Sequence, residues 1–417
     1  MIDWTDVNRR TGSLLALVGL DIPVRTPIKN LGVGQQQLVE IAKALSKDVK
    51  LLILDEPTSA LNEEDTATLL QLMRGLKKRG ITCIMISHKL NEIAAIADAV
   101  TVIRDGKTVE TYPVTAGQVD EDRIIRSMVG RSLDNRYPEH VPHVGEVIFE
   151  VRDWTVEDPT VAGRLLCDHI SLGVRAGEVV GLAGLMGAGR TEFARSVFGR
   201  NYGIYRDGHV FIHGHPVELT SVEQAIRHGL GYVSEDRKNL GLNLLDDVKQ
   251  TIVSAALRKV CTILGLIDPD KRRLAAERSR SEFGIKTASV DVGVATLSGG
   301  NQQKVVLAKW LFLEPDVLLL DEPTRGIDVG AKYEIYQLIH RLADEGKAVI
   351  MISSELPELL GVSDRIYTIC EGRVTGVIDT AGATQEGLMR LMTTTKQTSA
   401  SGFPAATLPA TSETITL

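Results

Sequence analysis

An apolar run ending in adjacent carboxylates occurs twice in this chain, as LLILDE at 51–56 and VLLLDE at 317–322. A buried strand that delivers a carboxylate at its end suits Mg²⁺ coordination through water, so Asp55 and Asp321 are metal-holding candidates. The next residue, Glu56 or Glu322, is placed to polarise an attacking water as general base. One such pair could be no more than an acidic turn. Two, at a fixed distance behind two glycine–glutamine segments, argue for chemistry.

GLMGAGRT at 184–191 (Gly184, Leu185, Met186, Gly187, Ala188, Gly189, Arg190, Thr191) has phosphate-loop spacing, with Arg190 where lysine is usual. Its glycines let backbone N–H groups turn towards phosphate oxygens, and the helix that follows adds partial positive charge. Thr191 is the candidate Mg²⁺ hydroxyl. The competing reading is a glycine-rich strand-to-helix turn with no ligand. LSGGNQQK at 297–304 opens a helix with small residues, so Ser298 and the N–H groups of Gly299, Gly300 and Asn301 can approach a phosphate. Helix capping accounts for Ser298 and the glycines. It does not account for their return as LGVGQQQ at 31–37, with Gly32, Gly34, Gln35 and the Gln36-Gln37 pair that answers Gln302-Gln303. His88 follows the apolar run ITCIMIS and, at its spacing after DEPT, reads as a γ-phosphate contact rather than a bare strand end.

These pairings are an internal duplication. Position 297 answers 31 and 321 answers 55, both 266 residues apart. The register continues through MISH at 85–88 against MISS at 351–354, and RDG at 104–106 against CEG at 370–372. An ungapped match of that length means two copies of one module. At this offset the counterpart of Gly184 falls about 80 residues before Met1, so the first module is expected to lack its phosphate loop. Ser354 stands where the first copy has His88, and it cannot supply an imidazole.

Positioning these groups requires strands and helices in alternation. The first module reads as a helical stretch near 12–20, then a helix after LGVGQ with Leu38, Ile41, Ala42 and Leu45 at i, i+3, i+4, i+7. Strand 51–54, helix 64–79, strand 81–86, helix 90–97 and strands over 100–110 follow. The second module has strand 178–183, the phosphate loop, a helix from 190, a helical region over 249–283, and then the same series. The alternation predicts an α/β parallel sheet. Residues 1–110 are assigned to the first module, 111–146 to a linker with Pro113, Pro138 and Pro142, and 147–393 to the second. The Ser/Thr/Ala/Pro-rich stretch 394–417 reads as a disordered tail.

Composition sets outer bounds. A length of 417 residues suggests two or three domains, and 43% hydrophobic with 24% charged residues is ordinary for a soluble protein. A net charge of −7 provides no overall basic field for nucleic acid. No run reaches the roughly 18 apolar residues that span a bilayer, and MIDWTDVNRR has no signal-peptide pattern. A membrane role is therefore expected to come through a partner. The four cysteines show no C-x-x-C spacing; Cys83 and Cys370 lie in apolar runs and are expected to be buried, reduced thiols, which fits the cytosol.

Phosphate loop, LSGG-type signature, acidic strand and switch histidine, in this order, resemble the ABC ATPase family. GAGRT, SEDRK at 234–238, LSGGNQQK and DEPTRGIDVGAKYEIY at 321–336 look like the duplicated ATPase subunits of monosaccharide importers, of the ribose, galactose and xylose kind. The resemblance covers about 1–393. It implies two tandem ABC-type P-loop NTPase domains, the first incomplete, with ATP and Mg²⁺ held between one module's phosphate loop and the other's signature. One site would join the absent phosphate loop, Glu56 and His88 to Ser298, Gly299 and Gly300. The other would join Gly184–Thr191, Asp321 and Glu322 to Gly32 and Gly34.

That second site departs from the family pattern in Arg190, in Ser354, in Gly32-Val33 for Ser-Gly, and in Glu235 for a loop glutamine. It is expected to bind nucleotide and hydrolyse it slowly. The implied partners are two membrane permease subunits, docked through the absent segment and the region 234–255, and indirectly a sugar-binding protein. The implied place is the cytoplasmic face of the inner membrane, as a peripheral subunit. A soluble tandem ABC protein acting on ribosomes or DNA is disfavoured, because 107–146 holds five Lys/Arg against seven Asp/Glu. A catalytically incompetent remnant is the other alternative, since a module without its first strands exposes sheet edge and apolar surface. Sugar identity is not written in the sequence.

Overall fold

The apolar runs form parallel strands, and the periodic segments between them form the helices that cover those strands. The computed structural model describes residues 2–47, 49–58, 61, 63–87, 90–104, 106–114, 120, 123–124, 127 and 137–394. The chain divides into two units, residues 1–134 with 328–330, and residues 135–327 with 331–417.

In the first unit, β1 (Leu51–Asp55) pairs in parallel with β2 (Thr82–Ile86). Leu38, Ile41 and Ala42 of the helix Val33–Leu45 and Leu69, Met73 and Leu76 of the helix Glu63–Lys78 cluster with Leu52 and Leu54. After the helix Leu90–Ile96, β3 (Ala99–Arg104) and β4 (Lys107–Pro113) form a separate antiparallel hairpin, so the first three residues of the expected linker are strand. The N-terminal helix runs Trp4–Leu17 rather than 12–20. Asp3 accepts the N–H groups of Thr5 and Asp6 and starts it early, and Gly19 at φ 76° ends it.

The second unit contains β5 (Val147–Glu157), β6 (Leu165–Arg175), β7 (Val179–Gly184), β8 (Ile204–Ile212), β9 (His215–Val217), β10 (Leu230–Val233), β11 (Val317–Asp321), β12 (Ala348–Ile352), β13 (Arg365–Cys370) and β14 (Arg373–Asp379). One sheet is antiparallel, in the order β6-β5-β8-β9. The other, in the order β10-β11-β12-β7-β13-β14, is parallel except at β14. β7 therefore sits inside the sheet and is buried at all six positions. Ligands of open α/β sheets bind beyond the carboxyl ends of such strands.

The helical region expected over 249–283 is broken. Helices Val248–Val253 and Pro269–Glu282 are separated by a 3₁₀ segment and a turn closed by a bridge between Cys261 and Ile267. Asp268 caps the second helix and Pro269 opens it, which restarts rather than continues the chain's helical course. Residues 137–146 of the expected linker are described. Tyr137 lies against Tyr336, and His140 stacks on His340 at 4.3 Å. Residues 395–417 of the expected tail lie outside the described residues.

Strands with matching sequence motifs do not have matching surroundings. β11 and β12 are buried throughout. On β1 and β2, Leu51, Ile53, Ile84 and Ile86 are about half exposed. Side chains alternate across a strand, so one face of this pair is open. The second unit's core includes Phe193, Ala194 and Val197 of the helix that follows β7. No described residue of the first unit is the counterpart of β7 or of that helix. Cys83 on β2 is for that reason half-buried, not buried, and Cys370 is half-buried at the end of β13. Partial desolvation still raises both thiols above their ordinary value.

Candidate active site

β7 ends at Gly184, and the loop beyond it turns on Gly187 at φ 77° and Gly189 at φ 104°. A Cβ on Gly189 would lie 2.4 Å from the Leu166 carbonyl oxygen, so no other residue fits there. The helix Arg190–Val197 starts at once, with no side-chain cap on its free N–H groups. Met186 is fully exposed and Leu185 half exposed, so these two offer backbone rather than side chain.

Arg190 turns away from the bare loop. Its Nη1 donates to the Ser353 carbonyl at 2.6 Å, and its charge favours ionised Asp321 and Glu322. A planar guanidinium committed to a protein carbonyl is a poorer phosphate clamp than a compact ammonium. Thr191 Oγ1 donates to Asp321 Oδ1 at 3.2 Å, and the Tyr232 hydroxyl donates to Oδ2 at 3.1 Å. Burial pushes the Asp321 carboxyl up to about 6, against the pull of those two hydroxyls. Glu322 is pushed by burial up to about 7, opposed by Arg190 and by Ser354, whose Oγ donates to Oε2 at 3.2 Å. A carboxylate poised there is matched to general-base work near neutral pH.

Both glutamates after the acidic strands hold a left-handed backbone, Glu56 at φ 47° and Glu322 at φ 48°. That conformation costs a glutamate on the order of 1 kcal/mol and persists only where the surroundings enforce it. The enforcing contacts are themselves duplicated. Glu322 N donates to Ile352 O and Glu56 N to Ile86 O, each at 2.9 Å. Beneath the strand ends, Thr324 and Ser353 both donate to the buried Glu358. Thr58 and Ser87 do the same to buried Glu92, at 2.6 and 3.3 Å. Sequence reasoning missed this lock and Tyr232, although 58, 87 and 92 answer 324, 353 and 358 at the same offset of 266.

Ser298 sits at the N-cap of the helix Gly299–Leu311 without capping it; Asn301 Nδ2 donates to its Oγ at 2.9 Å. Arg237 Nη2, the flexible end of its side chain, lies 2.9 Å from where a Gly299 Cβ would be, and Gly300 is buried. The first glutamine of each repeated pair is structural: buried Gln302 donates to Val294 O, and Gln36 to Leu31 O at 2.9 Å. At the first unit's equivalent helix, the Gly32 N–H is already taken by Gln35 Oε1 at 3.2 Å, and Gly34 follows inside the helix. The structure thus brings together Gly184–Thr191, Asp321, Glu322 and Ser354. Asp55 is exposed, and no described residue of the first unit places a phosphate loop beside Asp55 and Glu56. His88 lies outside the described residues.

Residues 6–59 and 167–325 match the model of the family described as ABC transporter. The chain is 56% identical, over 95% of its length and 77% of the relative's, to the L-arabinose transport ATP-binding protein AraG of Geobacillus stearothermophilus. It belongs to the ABC transporter family. The xylose import ATP-binding protein XylG of Thermoanaerobacter pseudethanolicus is 49% identical over 93% of this chain and 76% of that protein. A solved ATP-binding cassette of an ABC transporter in its ADP conformation is similar at a TM-score of 0.49 and 17% identity, over 61% of this chain and 97% of the other.

The ABC ATPase family binds ATP, usually with Mg²⁺. Thr191 and buried Asp321 are hard oxygen donors in contact with each other at the loop's end, which fits Mg²⁺. Metal binding requires the Asp321 carboxylate ionised. Affinity for Mg²⁺-nucleotide is therefore expected to fall as pH drops through about 6, with proton release on binding near that pH. Calorimetric titration in two buffers of different ionisation heat at pH 6 and pH 8 measures this; equal, proton-free binding at both would contradict it.

Proposed function

We propose that this chain is the ATP-hydrolysing subunit that energises monosaccharide import through an ABC transporter, with nucleotide and Mg²⁺ held by Gly184–Thr191 and Asp321. The observation that carries this reading is the Asp321–Glu322 pair at the end of β11, with the Thr191 hydroxyl on the aspartate and Ser354 on the glutamate. The relatives are named for L-arabinose and xylose, which favours a pentose.

The free N–H groups after β7 hold the phosphates, and Mg²⁺, held by Thr191 and Asp321, would offset their charge. Glu322 takes the proton of the attacking water as oxygen bonds to the γ-phosphorus and the bridging P–O bond breaks, yielding ADP and phosphate. Ser354 can orient Glu322 but has no group that titrates near pH 7 to contact the γ-phosphate. With Arg190 tied to Ser353, that supports a site which binds nucleotide and turns it over slowly.

Each nucleotide is read as lying between one module's phosphate loop and the other's signature. The second site, with Glu56, His88 and Ser298–Gly300, would need a phosphate loop from outside residues 1–417. Two permease subunits and, indirectly, a sugar-binding protein are the partners, with this subunit peripheral at the cytoplasmic face of the inner membrane. Among the described residues no helix is long and apolar enough to cross a membrane.

The test is ATP turnover by this chain beside a version extended upstream. Activity confined to the extended protein and abolished by Glu56→Gln is the expected result. Turnover by residues 1–417 that depends on Glu322 and is as fast as that of the extended protein would overturn the slow-site assignment. Absence of nucleotide binding by either protein would favour the incompetent remnant. Ser354→His is expected to raise the slow site's turnover by roughly tenfold, the lower range for a positioned acid–base group. Unchanged single-turnover rates would remove Ser354 as a cause of slowness.

A further inference from the structure

In the second unit, between the helices Val248–Val253 and Pro269–Glu282, the chain reverses through CTILGLI at 261–267. The reversal is fixed by its own backbone. Thr262 N donates to Leu266 O at 2.7 Å, Gly265 N to Thr262 O at 2.9 Å, and Asp268 N to Val260 O at 2.8 Å. Gly265 supplies the left-handed φ of 78°, and buried Val260 anchors the base. The corners of such turns ordinarily carry Asn, Asp, Ser, Pro or Gly. Here they carry Ile263, which is fully exposed, and Leu264, which is 85% exposed; Leu266 follows at 67%. Apolar side chains scattered singly over a surface need no explanation, but three together on one hydrogen-bonded tip do.

The charge around this tip is opposite in sign to that of the whole chain. Residues 256–280 hold seven Lys/Arg and three Asp/Glu, a balance of +4 in a chain of net charge −7. Two of the three acids are occupied: Asp268 accepts the N–H groups of Asp270 and Lys271, and Glu277 pairs with Arg280. Among the cations, Lys259 is tied to Glu314, and Arg273 lies 3.9 Å from Asp291. Arg258, Lys271 and Arg278 are exposed and make no ion pair among the described residues. Lys271, Leu274 and Arg278 stand at i, i+3 and i+7, so one face of the helix carries a cation, a half-exposed leucine and a second cation.

An apolar point flanked by unpaired cations fits a surface that is anionic outside and apolar beneath. We propose that the tip 261–267 inserts into the headgroup boundary of an anionic lipid bilayer. Ile263, Leu264 and Leu266 enter the edge of the acyl region, and Arg258, Lys271 and Arg278 meet the lipid phosphates. The hydrogen bonds across the tip favour entry, because they leave fewer backbone groups to be stripped of water. A nucleic acid would match the cations and leave the isoleucine and leucines uncovered. An uncharged apolar partner would cover those and leave the cations unmatched. The proposal needs neither nucleotide chemistry nor permease subunits, so its failure and that of the ATPase reading are separable.

The probe is a vesicle of equal parts phosphatidylglycerol and phosphatidylcholine, mixed with the full 417-residue chain without nucleotide and followed by flotation. Binding is expected to be at least tenfold stronger than to phosphatidylcholine alone, and to weaken as added salt screens the exposed charges. Leu264→Asp should weaken it at least tenfold. Lys271→Glu combined with Arg278→Glu should do the same, since each cation near an anionic surface is worth roughly fivefold. These side chains are exposed, so the thermal unfolding midpoint of each variant should match the parent's, which checks the fold. In a Leu264→Trp chain the new indole should emit at shorter wavelength on the anionic vesicles only. Three results would overturn the proposal: no flotation with anionic vesicles, equal flotation with neutral ones, or flotation that Leu264→Asp leaves unchanged. The last would move the lipid contact to other exposed apolar residues, such as those of β1 and β2. A lipid-free dimer that Leu264→Asp dissociates would overturn it too, by assigning the tip to a second copy.

Discussion

Leu319→Ala is expected to destabilise its unit by about 2–5 kcal/mol, while Ile53→Ala at the duplicate position is expected to change stability by less than about 0.5 kcal/mol. The two residues occupy the third place in LLILD and VLLLD. Leu319 is wholly buried, with the rest of β11 inaccessible around it, so truncation leaves a cavity. Ile53 is 60% exposed on the open face of β1, where truncation removes surface and leaves no void. Chemical denaturation followed by hydrogen exchange on each strand separates the two. Equal losses would mean that β1 is covered in solution by something from outside the described residues.

Asp321→Asn should weaken Mg²⁺-dependent nucleotide binding by roughly 10–100-fold, as losses at metal sites do, while leaving binding in chelator nearly unchanged. The same substitution should stabilise the unit at pH 8, and the sign follows from the raised carboxyl. The folded group titrates near 6 against an ordinary 3.8, so between those values the folded state holds more protons than the unfolded. Stability conferred on the protonated form is therefore lost as pH rises from about 4 to 6. Above that range the buried charge costs up to about 3 kcal/mol, which an amide does not incur. Thermal unfolding at pH 5 and pH 8 measures it. A variant less stable than the parent at pH 8 would show that the Thr191 and Tyr232 hydroxyls hold the carboxylate better than burial opposes it. Gain of stability with loss of metal-dependent binding is the pattern of a site held at the expense of the fold.

The sequence alone determined which residues are candidates for chemistry, because the phosphate-loop glycines, the Asp-Glu pairs and the signature are local patterns with local causes. A φ of 104° at Gly189, or a helix opened by Ser298-Gly299-Gly300, depends on a few neighbouring residues, and so does the strand preference of VLLLD. The repeated motifs were legible for the same reason: a constant offset of 266 needs no third dimension. Periodicity set most elements to within a residue or two. It failed where local caps overrode it, at Asp3 and at Asp268-Pro269. Only the tertiary structure decided the surroundings. Arg190 meets Ser353 across 163 residues and Thr191 meets Asp321 across 130, and no window of sequence contains such pairs. The similar runs LLILD in β1 and VLLLD in β11 carry similar propensities. One is open and the other buried because burial depends on what packs against a strand, and that is settled by distant parts of the chain.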